Sequence, residues 1–284
     1  MVWAGTIAAL ILLFVVYQYF VQNAFVTEHV NVTYSSETPG LDSVPKKILL
    51  ISDLHGRRFG EKNERLIKEI RSIAPEIVLI PGDLFVGRSH NVSAAVEFVK
   101  ELCALGIPVY YSLGNHESGF KECHPAEYES YLETIQAPSL HVLDNRGIFA
   151  DEKLFIAGLT IPNACYRKDG RSVAVTAEDI AKIEPSIPED AFTILLAHTP
   201  YYFTTYAMSG AKLVVSGHVH GGIVRLPLLG GVISPQMEWF PKYDSGIYRE
   251  NDCVMAVTRG LGAHTIPIRV GNRPQLMVLH IDSV

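Results

Sequence analysis

Short apolar runs recur along the chain and alternate with amphipathic stretches. Five of these runs are rich in branched aliphatic or aromatic residues and have the length of buried strands: Ile48 to Ile51, Ile77 to Ile80, Val109 to Tyr111, Thr193 to Leu196 and Leu213 to Val215. Continuous apolar runs with glycine or proline nearby are typical of buried strands in the sheets of α/β domains. The pattern therefore predicts a parallel or mixed sheet at the centre of the domain.

Apolar residues at helical spacing follow the first three runs and predict helices that alternate with the strands. Two later strand-like runs, Cys253 to Val257 and Leu276 to Ile281, have no long helical crossover between them, which favours mixed over purely parallel sheets. The predicted fold class is α/β, a two-sheet mixed β sandwich flanked by helices. The apolar positions of the three predicted helices are Leu66, Ile67, Ile70 and Ile73; Val92, Val96, Val99 and Cys103; and Tyr128, Tyr131, Leu132 and Ile135.

The first segment differs in kind from the rest of the chain. No formally charged side chain occurs from Val2 to Phe20, and a helix needs about 20 apolar residues to cross a bilayer. Because no lysine or arginine precedes Lys46, the basic region of a cleavable signal peptide is missing, and we expect an uncleaved anchor of open orientation. We predict a transmembrane helix over residues 1–21, a polar linker over 22–45 and one globular domain over 46–284.

Charge and cysteine content narrow the classes of partner. The chain of 284 residues has 24 lysines and arginines against 30 aspartates and glutamates, and its net charge of −6 offers no basic footprint for a nucleic acid. Nucleic acid is therefore not an expected partner. The four cysteines form no Cys-x-x-Cys pair, so neither a zinc ribbon nor a disulfide framework is indicated, and we expect free thiols.

Each of the five strand-like runs ends in residue types that commonly bind metals. In α/β sheets the functional crevice lies outside the carboxyl ends of the strands, so these residues are expected to meet at one edge. Two divalent cations about 3.5 to 4 Å apart neutralise a phosphoryl group and lower the pKa of a bound water, and a carboxylate such as Asp83 can bridge them. Mixed nitrogen and oxygen donors suit manganese, iron or zinc better than calcium. The candidates are Asp53, His55, Asp83, Asn115, His116, His198, His218 and His220.

The motifs that contain these residues resemble the complete signature of the calcineurin-like metallophosphoesterase family. Each motif alone is a weak signal, since Gly-Asp after a strand, for example, is a common turn. All five together, in the order of the family's motifs, are specific. The resemblance covers residues 53–220 and rests on Asp53-Leu54-His55, Gly82-Asp83, Gly114-Asn115-His116-Glu117, His198 and Gly217-His218-Val219-His220.

The resemblance implies a role for each of these residues. It implies that Asp53, His55 and His220 hold a first divalent metal. It likewise implies that Asn115, His198 and His218 hold a second metal, with Asp83 between the two. His116 matches a catalytic histidine that binds no metal and assists the leaving oxygen, and Glu117 would orient it. The nucleophile is then a metal-activated hydroxide, and no Gly-x-Ser-x-Gly nucleophile motif competes with this interpretation.

Two local sequences narrow the branch of the family. The Asp-Arg-Gly motif of the family's protein phosphatases is missing, because Leu84 and Phe85 follow Asp83. The segment from Arg225 to Gly262 instead resembles the bacterial branch of membrane-anchored or exported phosphoesterases, some of which act on phospholipids or nucleotide-sugar lipids. This resemblance implies a single-pass protein of the cell membrane with a small-molecule or lipid phosphoester as substrate, and it slightly favours the extracytoplasmic side for the domain.

Three alternatives stay open at the level of the sequence. A nuclease or a phosphomonoesterase of the same family would carry the same motifs, although the acidic balance argues against a nuclease. A membrane protein that keeps the fold only as a non-catalytic scaffold is the third, and the retention of His116 and of every ligand argues against it.

Several reactive side chains lie outside the motifs. Arg57 or Arg58 is a candidate to reach a phosphate. The aromatic residues between Arg225 and Tyr243 either clamp an acyl or ring group of the substrate or cover an edge of the core. Six histidines are expected to have no metal role, namely His29, His90, His124, His141, His264 and His280.

Overall fold

The structure is a computed structural model that describes residues 2–166, 173–263 and 267–284. Its helices are α1 Val2–Asn23, α2 Glu64–Ile73, α3 Ser93–Cys103, α4 Asn115–Cys123, α5 Pro125–Ile135, α6 Ala177–Ile180 and α7 Phe203–Ala207. Its strands are β1 Val26–Tyr34, β2 Lys47–Leu50, β3 Ile77–Ile80, β4 Val109–Ser112, β5 Leu140–Leu143, β6 Arg146–Asp151, β7 Leu154–Leu159, β8 Phe192–Ala197, β9 Leu213–Ser216, β10 Val224–Leu226, β11 Gly230–Ile233, β12 Gly246–Glu250, β13 Cys253–Val257 and β14 Gln275–Ser283.

Two six-stranded mixed sheets form the centre of the domain. The first has the order β1-β14-β2-β3-β4-β5, in which β14 and β2 are antiparallel and the other neighbours are parallel. The second has the order β12-β13-β9-β8-β7-β6, with antiparallel pairs only at its two ends. A short hairpin, β10–β11, stands apart. The predicted two-sheet mixed sandwich is confirmed.

Apolar clusters on both faces of each sheet hold the layers together. Successive side chains of a strand point to opposite faces of a sheet, so the residues along β2 alternate between two clusters. Ile48 and Leu50 belong to the cluster between the two sheets, whereas Leu49 and Ile51 belong to the cluster under α2, α3 and α5. A third cluster lies between the second sheet and α7. The four cysteines are free thiols, as predicted.

The predicted linker over residues 22–45 is wrong, because it contains a strand of the first sheet. Strand β1 pairs in parallel with β14 from Val26 opposite Gln275 to Tyr34 opposite Ser283. Its side chains alternate, and Val32 and Tyr34 are buried between the sheets, where the Tyr34 ring packs edge-on against Phe192 at 5.1 Å. The domain therefore begins near residue 25.

Helix α1 projects from the domain and is joined to β1 by a short connection. Only Ala24 and Phe25 lie between α1 and β1. The stretch Gly5–Asn23 has a mean hydropathy of 1.8, so by length and composition it can cross a membrane. Its apolar side chains are mostly exposed, as expected for a helix whose partner is lipid and not a protein core.

The position of β1 predicts how truncation affects stability. A chain that starts at Lys46 should be less stable than one that starts at Phe25 by at least about 3 kcal/mol, since it loses the buried Tyr34 and exposes the edge of β14. Urea unfolding followed by circular dichroism of the two chains measures the difference. Equal midpoints would show that residues 25–45 are a linker after all.

Candidate metal centre

The predicted ligands meet where the carboxyl ends of strands from both sheets face each other. Asp53 and His55 follow β2, Asp83 follows β3 and Asn115 begins α4 after β4. From the second sheet, one residue follows β8 and two follow β9, namely His198, His218 and His220. We call these seven residues the ligand cluster.

The backbone of the ligand cluster is held in an unusual conformation. Five of its seven residues are left-handed, a region that costs a residue other than glycine about 1–3 kcal/mol and is concentrated at functional sites. The turns bring successive side chains to the same edge of the sheets. The φ angles are 52° for Asp53, 48° for His55, 59° for Asp83, 68° for His218 and 53° for His220.

Asp53, His55 and His220 form one group of donors. The Nε2 atoms of His55 and His220 lie 3.1 Å apart, and the two rings are stacked with centroids 5.0 Å apart. Nε2 of His220 is 3.5 Å and Nε2 of His55 is 4.0 Å from Oδ1 of Asp53. The three donor atoms thus lie close together, and they belong to the three residues predicted to hold the first metal.

Asp83, His198 and His218 form a second group beside the first. Oδ2 of Asp83 lies 3.0 Å from Nε2 of His198 and 3.8 Å from Nε2 of His55, so this carboxylate faces both groups. Nδ1 of His198 lies 2.9 Å from the Pro81 carbonyl oxygen. Since the carbonyl can only accept, Nδ1 carries the proton and Nε2 is left as a donor to a metal.

Burial makes the charges of the cluster strongly interdependent. Burial raises the pKa of Asp53 to about 6 against the opposing effect of His198. Burial also acts to raise the pKa of Asp83, but His198 and His116 outweigh it and hold that pKa well below its usual range. For His198, burial acts to lower the pKa, whereas Asp83 and Asp53 raise it to about 9. A divalent cation would supply the balancing charge in place of the His198 proton.

The donor set fits two divalent cations. Oδ1 of Asn115 is buried and makes no hydrogen bond to any residue that the structure describes, as expected of an oxygen that belongs to a metal. Imidazole, carboxylate and amide donors together are the ligands of manganese, iron and zinc. Asp83 lies between the two groups, where a bridging carboxylate has to be.

His116 lies at the edge of the cluster with a defined tautomer. Its ring packs edge-on against His55, with centroids 4.9 Å apart. The Gly87 N–H donates to Nδ1 of His116 at 3.2 Å, so the proton of a neutral ring is on Nε2. The backbone N–H of His116 donates to Oδ1 of Asp83 at 3.0 Å, which ties the position of the residue to the Asp83 carboxylate.

Glu117 acts on the position of His116 through the backbone and not through a hydrogen bond to its ring. Its buried carboxylate accepts from the backbone N–H groups of Asp83 at 2.8 Å, Leu84 at 2.7 Å and Gly114 at 3.0 Å. Burial raises its pKa to about 7. Glu117 therefore joins the turn after β3 to the start of α4, and it positions Asp83, Asn115 and His116 through the backbone.

Three glycines allow the backbone to approach the two carboxylates. A Cβ atom on Gly114 would lie less than 3.0 Å from Oδ1 of Asp83, and one on Gly217 would lie as close to Oδ2 of Asp53. Gly260, with φ 64°, packs in the same way against Cβ of Asp53. There is no room for a side chain at any of these three positions. The close approach of the backbone to the carboxylates therefore explains the glycines better than the need for a turn does.

Two residues at the site escaped the sequence analysis. Arg269 is buried, and its Nη2 lies 3.3 Å from Nδ1 of His220 and donates to the Arg259 carbonyl at 2.9 Å. The side chain of Gln236 contacts Nε2 of His218. The position of Arg269 between the apolar residues Ile268 and Val270 was a weak signal that its side chain is buried. Nothing in the local sequence indicated that Gln236 reaches the site.

Other candidates lie away from the cluster. Arg57 donates to Gln22 and Asn23 of α1, and Arg58 pairs with Glu97 on α3, so both guanidinium groups are engaged elsewhere. Two of the six remaining histidines, His90 and His124, come together with Glu127 at the surface, in an arrangement that half-exposed ion pairs explain. His264 lies outside the described residues.

Comparison with known proteins agrees with this geometry. The model of the family described as calcineurin-like phosphoesterase matches residues 46–222. A zebrafish (Danio rerio) transmembrane protein with metallophosphoesterase domain is 26% identical over 243 residues, which cover 81% of this chain and 52% of that protein. The chain thus spans about half the length of this relative. The phosphodiesterase YaeI of Escherichia coli is 25% identical over 247 residues, which cover 84% of this chain and 83% of YaeI.

Among solved structures, the NAD nucleotidase of Haemophilus influenzae superposes with a TM-score of 0.48 at 18% identity, over 78% of this chain and 46% of that one. The family match covers more than half of the chain and includes all seven residues of the ligand cluster together with His116. From its sequence, this chain belongs to the calcineurin-like phosphoesterase family.

Proposed function

We propose that this protein is a dimetal-dependent hydrolase of phosphate esters, with phosphodiesters of the phospholipid or nucleotide-sugar lipid type as its preferred substrates. The observation that carries the proposal is the convergence of Asp53, His55, Asp83, His198, His218 and His220 in two groups that Asp83 joins, with His116 at their edge. Manganese, iron and zinc all suit these donors.

Each residue contributes in a defined way to such a reaction. When bound, two divalent cations neutralise the phosphoryl oxygens and make a bound water acidic enough to act near neutral pH. Asp53, His55 and His220 would hold one cation, and Asn115, His198 and His218 the other, with Asp83 shared. The Nε2 proton of His116 is available to the departing oxygen, because Gly87 occupies Nδ1.

Two observations support a phosphodiester at a membrane as the substrate. Helix α1 has the length and hydropathy of a membrane anchor, and tethering raises the effective concentration of an enzyme at a bilayer. The zebrafish relative is described as a transmembrane protein and the E. coli relative as a phosphodiesterase. The resemblance to exported enzymes favours the extracytoplasmic side of the membrane for the domain.

The separation of metal binding from proton donation gives a first test of the site. His116→Ala should keep both metals but lose about 10² to 10⁴ fold in kcat, the usual contribution of general acid catalysis. Asp83→Ala should lose metal as well, since it removes the carboxylate between the two donor groups. Elemental analysis and kcat of both variants distinguish the two roles. His29→Ala, which changes an exposed histidine, is the control. Loss of metal from His116→Ala equal to that from Asp83→Ala would make His116 a ligand.

A panel of esters tests the reaction itself. The purified full chain should hydrolyse bis(p-nitrophenyl) phosphate faster than p-nitrophenyl phosphate, lose this activity on chelation and regain it with Mn²⁺. A faster rate on the monoester would favour the phosphomonoesterase alternative. A chain that binds metal but hydrolyses no ester of the panel, lipid phosphates included, would be a scaffold.

The anchor has a separate prediction. The full chain should stay with the membrane fraction through high-salt and alkaline washes and enter solution only in detergent, because burial of about 20 apolar residues does not depend on ionic strength. Immunoblots of the washed fractions measure this. Release by salt would mean that α1 lies on the surface of the membrane or on a protein partner.

A further inference from the structure

The last turns of α1 are fixed to the globular domain. Gln18 is buried, and it exchanges two hydrogen bonds with the backbone of Arg269, donating to the carbonyl at 3.1 Å and accepting from the N–H at 3.0 Å. Gln22 donates to the Pro267 carbonyl at 2.6 Å, and the Gly271 N–H donates to the Tyr17 hydroxyl at 2.9 Å. The apolar helix therefore ends against the segment that contains Arg269.

The length of α1 places this contact at the edge of a bilayer. Its 22 residues span about 33 Å, the part from Val2 to Tyr17 spans roughly 24 Å, and the hydrocarbon core of a bilayer is about 30 Å thick. Trp3 near one end and Tyr17 and Tyr19 near the other occupy the positions of interfacial aromatic residues. If α1 crosses a bilayer, the contact of Tyr17 with Gly271 would place the surface around Gly271 close to the lipid headgroups.

An exposed set of large apolar side chains lies beside this contact. The hairpin β10–β11 adjoins it, because the Arg225 N–H donates to the Val270 carbonyl at 2.8 Å. The segment after the hairpin pairs back onto β11 through a bridge between Ile233 and Trp239. The turn of the hairpin and Phe240 of this segment line one cavity of about 510 Å³. The apolar patch consists of Leu226, Leu228, Leu229, Met237, Trp239 and Phe240, all of them exposed.

The segment that carries part of the apolar patch also reaches the ligand cluster. Gln236 contacts His218 on its inner side and accepts a hydrogen bond from the Tyr201 hydroxyl at 2.8 Å, and the exposed Met237 follows it directly. On the other flank of the cluster, Arg269 connects Gln18 of α1 to His220. The cluster is thus bordered on one side by the segment of Gln236 and Met237 and on the other by Arg269, which contacts α1.

We propose that the apolar patch is a second membrane contact, which enters the headgroup region beside α1 and holds the opening of the ligand cluster against the bilayer. The proposal rests on the phosphoesterase function proposed above, and it makes the substrate a phosphoester headgroup of a lipid that stays in its membrane. Tryptophan, phenylalanine and leucine with a basic residue close by are the usual composition of such contacts, and Lys242 lines the same cavity as Phe240. The bilayer is the favoured occupant because the patch adjoins the end of an apolar helix.

Fluorescence of Trp239 tests the contact without any assay of activity. The chain has two tryptophans, so the Trp3→Phe variant reports on Trp239 alone. In vesicles of phosphatidylcholine with brominated acyl chains, Trp239 emission should be quenched relative to unbrominated vesicles, and aqueous acrylamide should quench it less than in detergent. Equal emission in the two kinds of vesicle, with full access to acrylamide, would overturn the proposal. So would crosslinking of two chains through the patch without quenching by bromine.

Activity on two substrates tests the consequence for catalysis. Leu228→Asp in the reconstituted full chain should lower hydrolysis of a lipid phosphoester in vesicles roughly tenfold, because a leucine in an apolar environment is replaced by a charge. Its rate on soluble bis(p-nitrophenyl) phosphate should not change. Met208→Asp, at an exposed apolar position directly after α7, should change neither rate.

The outcomes separate this proposal from the function on which it rests. An equal loss on both substrates, or no loss on the lipid, would overturn the membrane contact as a determinant of catalysis. If the unmodified chain hydrolyses neither substrate, the proposed function fails, and the quenching of Trp239 still decides whether the patch contacts the bilayer.

Discussion

The repulsion between two buried carboxylates is the constraint on which the rest of the structure depends. Asp53 and Asp83 are 0% and 2% exposed and follow neighbouring parallel strands. Water therefore cannot solvate the charge of either carboxylate. The surroundings supply the compensation. The His218 N–H donates to Asp53 at 3.0 Å, the His116 N–H donates to Asp83 at the same distance, and the His198 ring lies beside Asp83. Each compensating group comes from a different motif, which is why the motifs must arrive together.

This compensation depends on the backbone as much as on side chains. The backbone N–H of His55 donates to the Asp83 carbonyl at 3.0 Å, and the backbone N–H of Gly217 donates to the His198 carbonyl at 2.9 Å. In each sheet, the turns after two neighbouring strands are therefore bonded to one another. Their left-handed residues are strained, and the dry core of the two sheets holds them in place. A rigid apolar sandwich is therefore the condition for a site with this much buried charge.

Much of the fold and the site was predictable because their signals are local. The strand runs and the helices after them needed only periodicity, and each ligand directly follows a run that could be recognised. Strand β1 was missed although Val30, Val32 and Tyr34 alternate, because an edge strand with one polar face resembles a linker. Arg269 and Gln236 reach the site through packing 49 and 18 residues away from their partner histidines, and no spacing rule encodes that. The role of Glu117 depended on which backbone groups lay nearby, which only the structure could show.

The connection between α1 and β1 has one more consequence. Only Ala24 and Phe25 lie between them, and Arg57 and Arg65 donate hydrogen bonds to Asn23 at the end of the helix, so the domain is tied closely to α1. Under the proposed anchoring, the protein would meet its substrates by lateral diffusion in two dimensions. Its rate would then follow the surface density of the substrate in the membrane and would be insensitive to bulk concentration. Diluting the target lipid with inert lipid at constant total amount would slow such an enzyme, whereas adding more vesicles of the same composition would not speed it up.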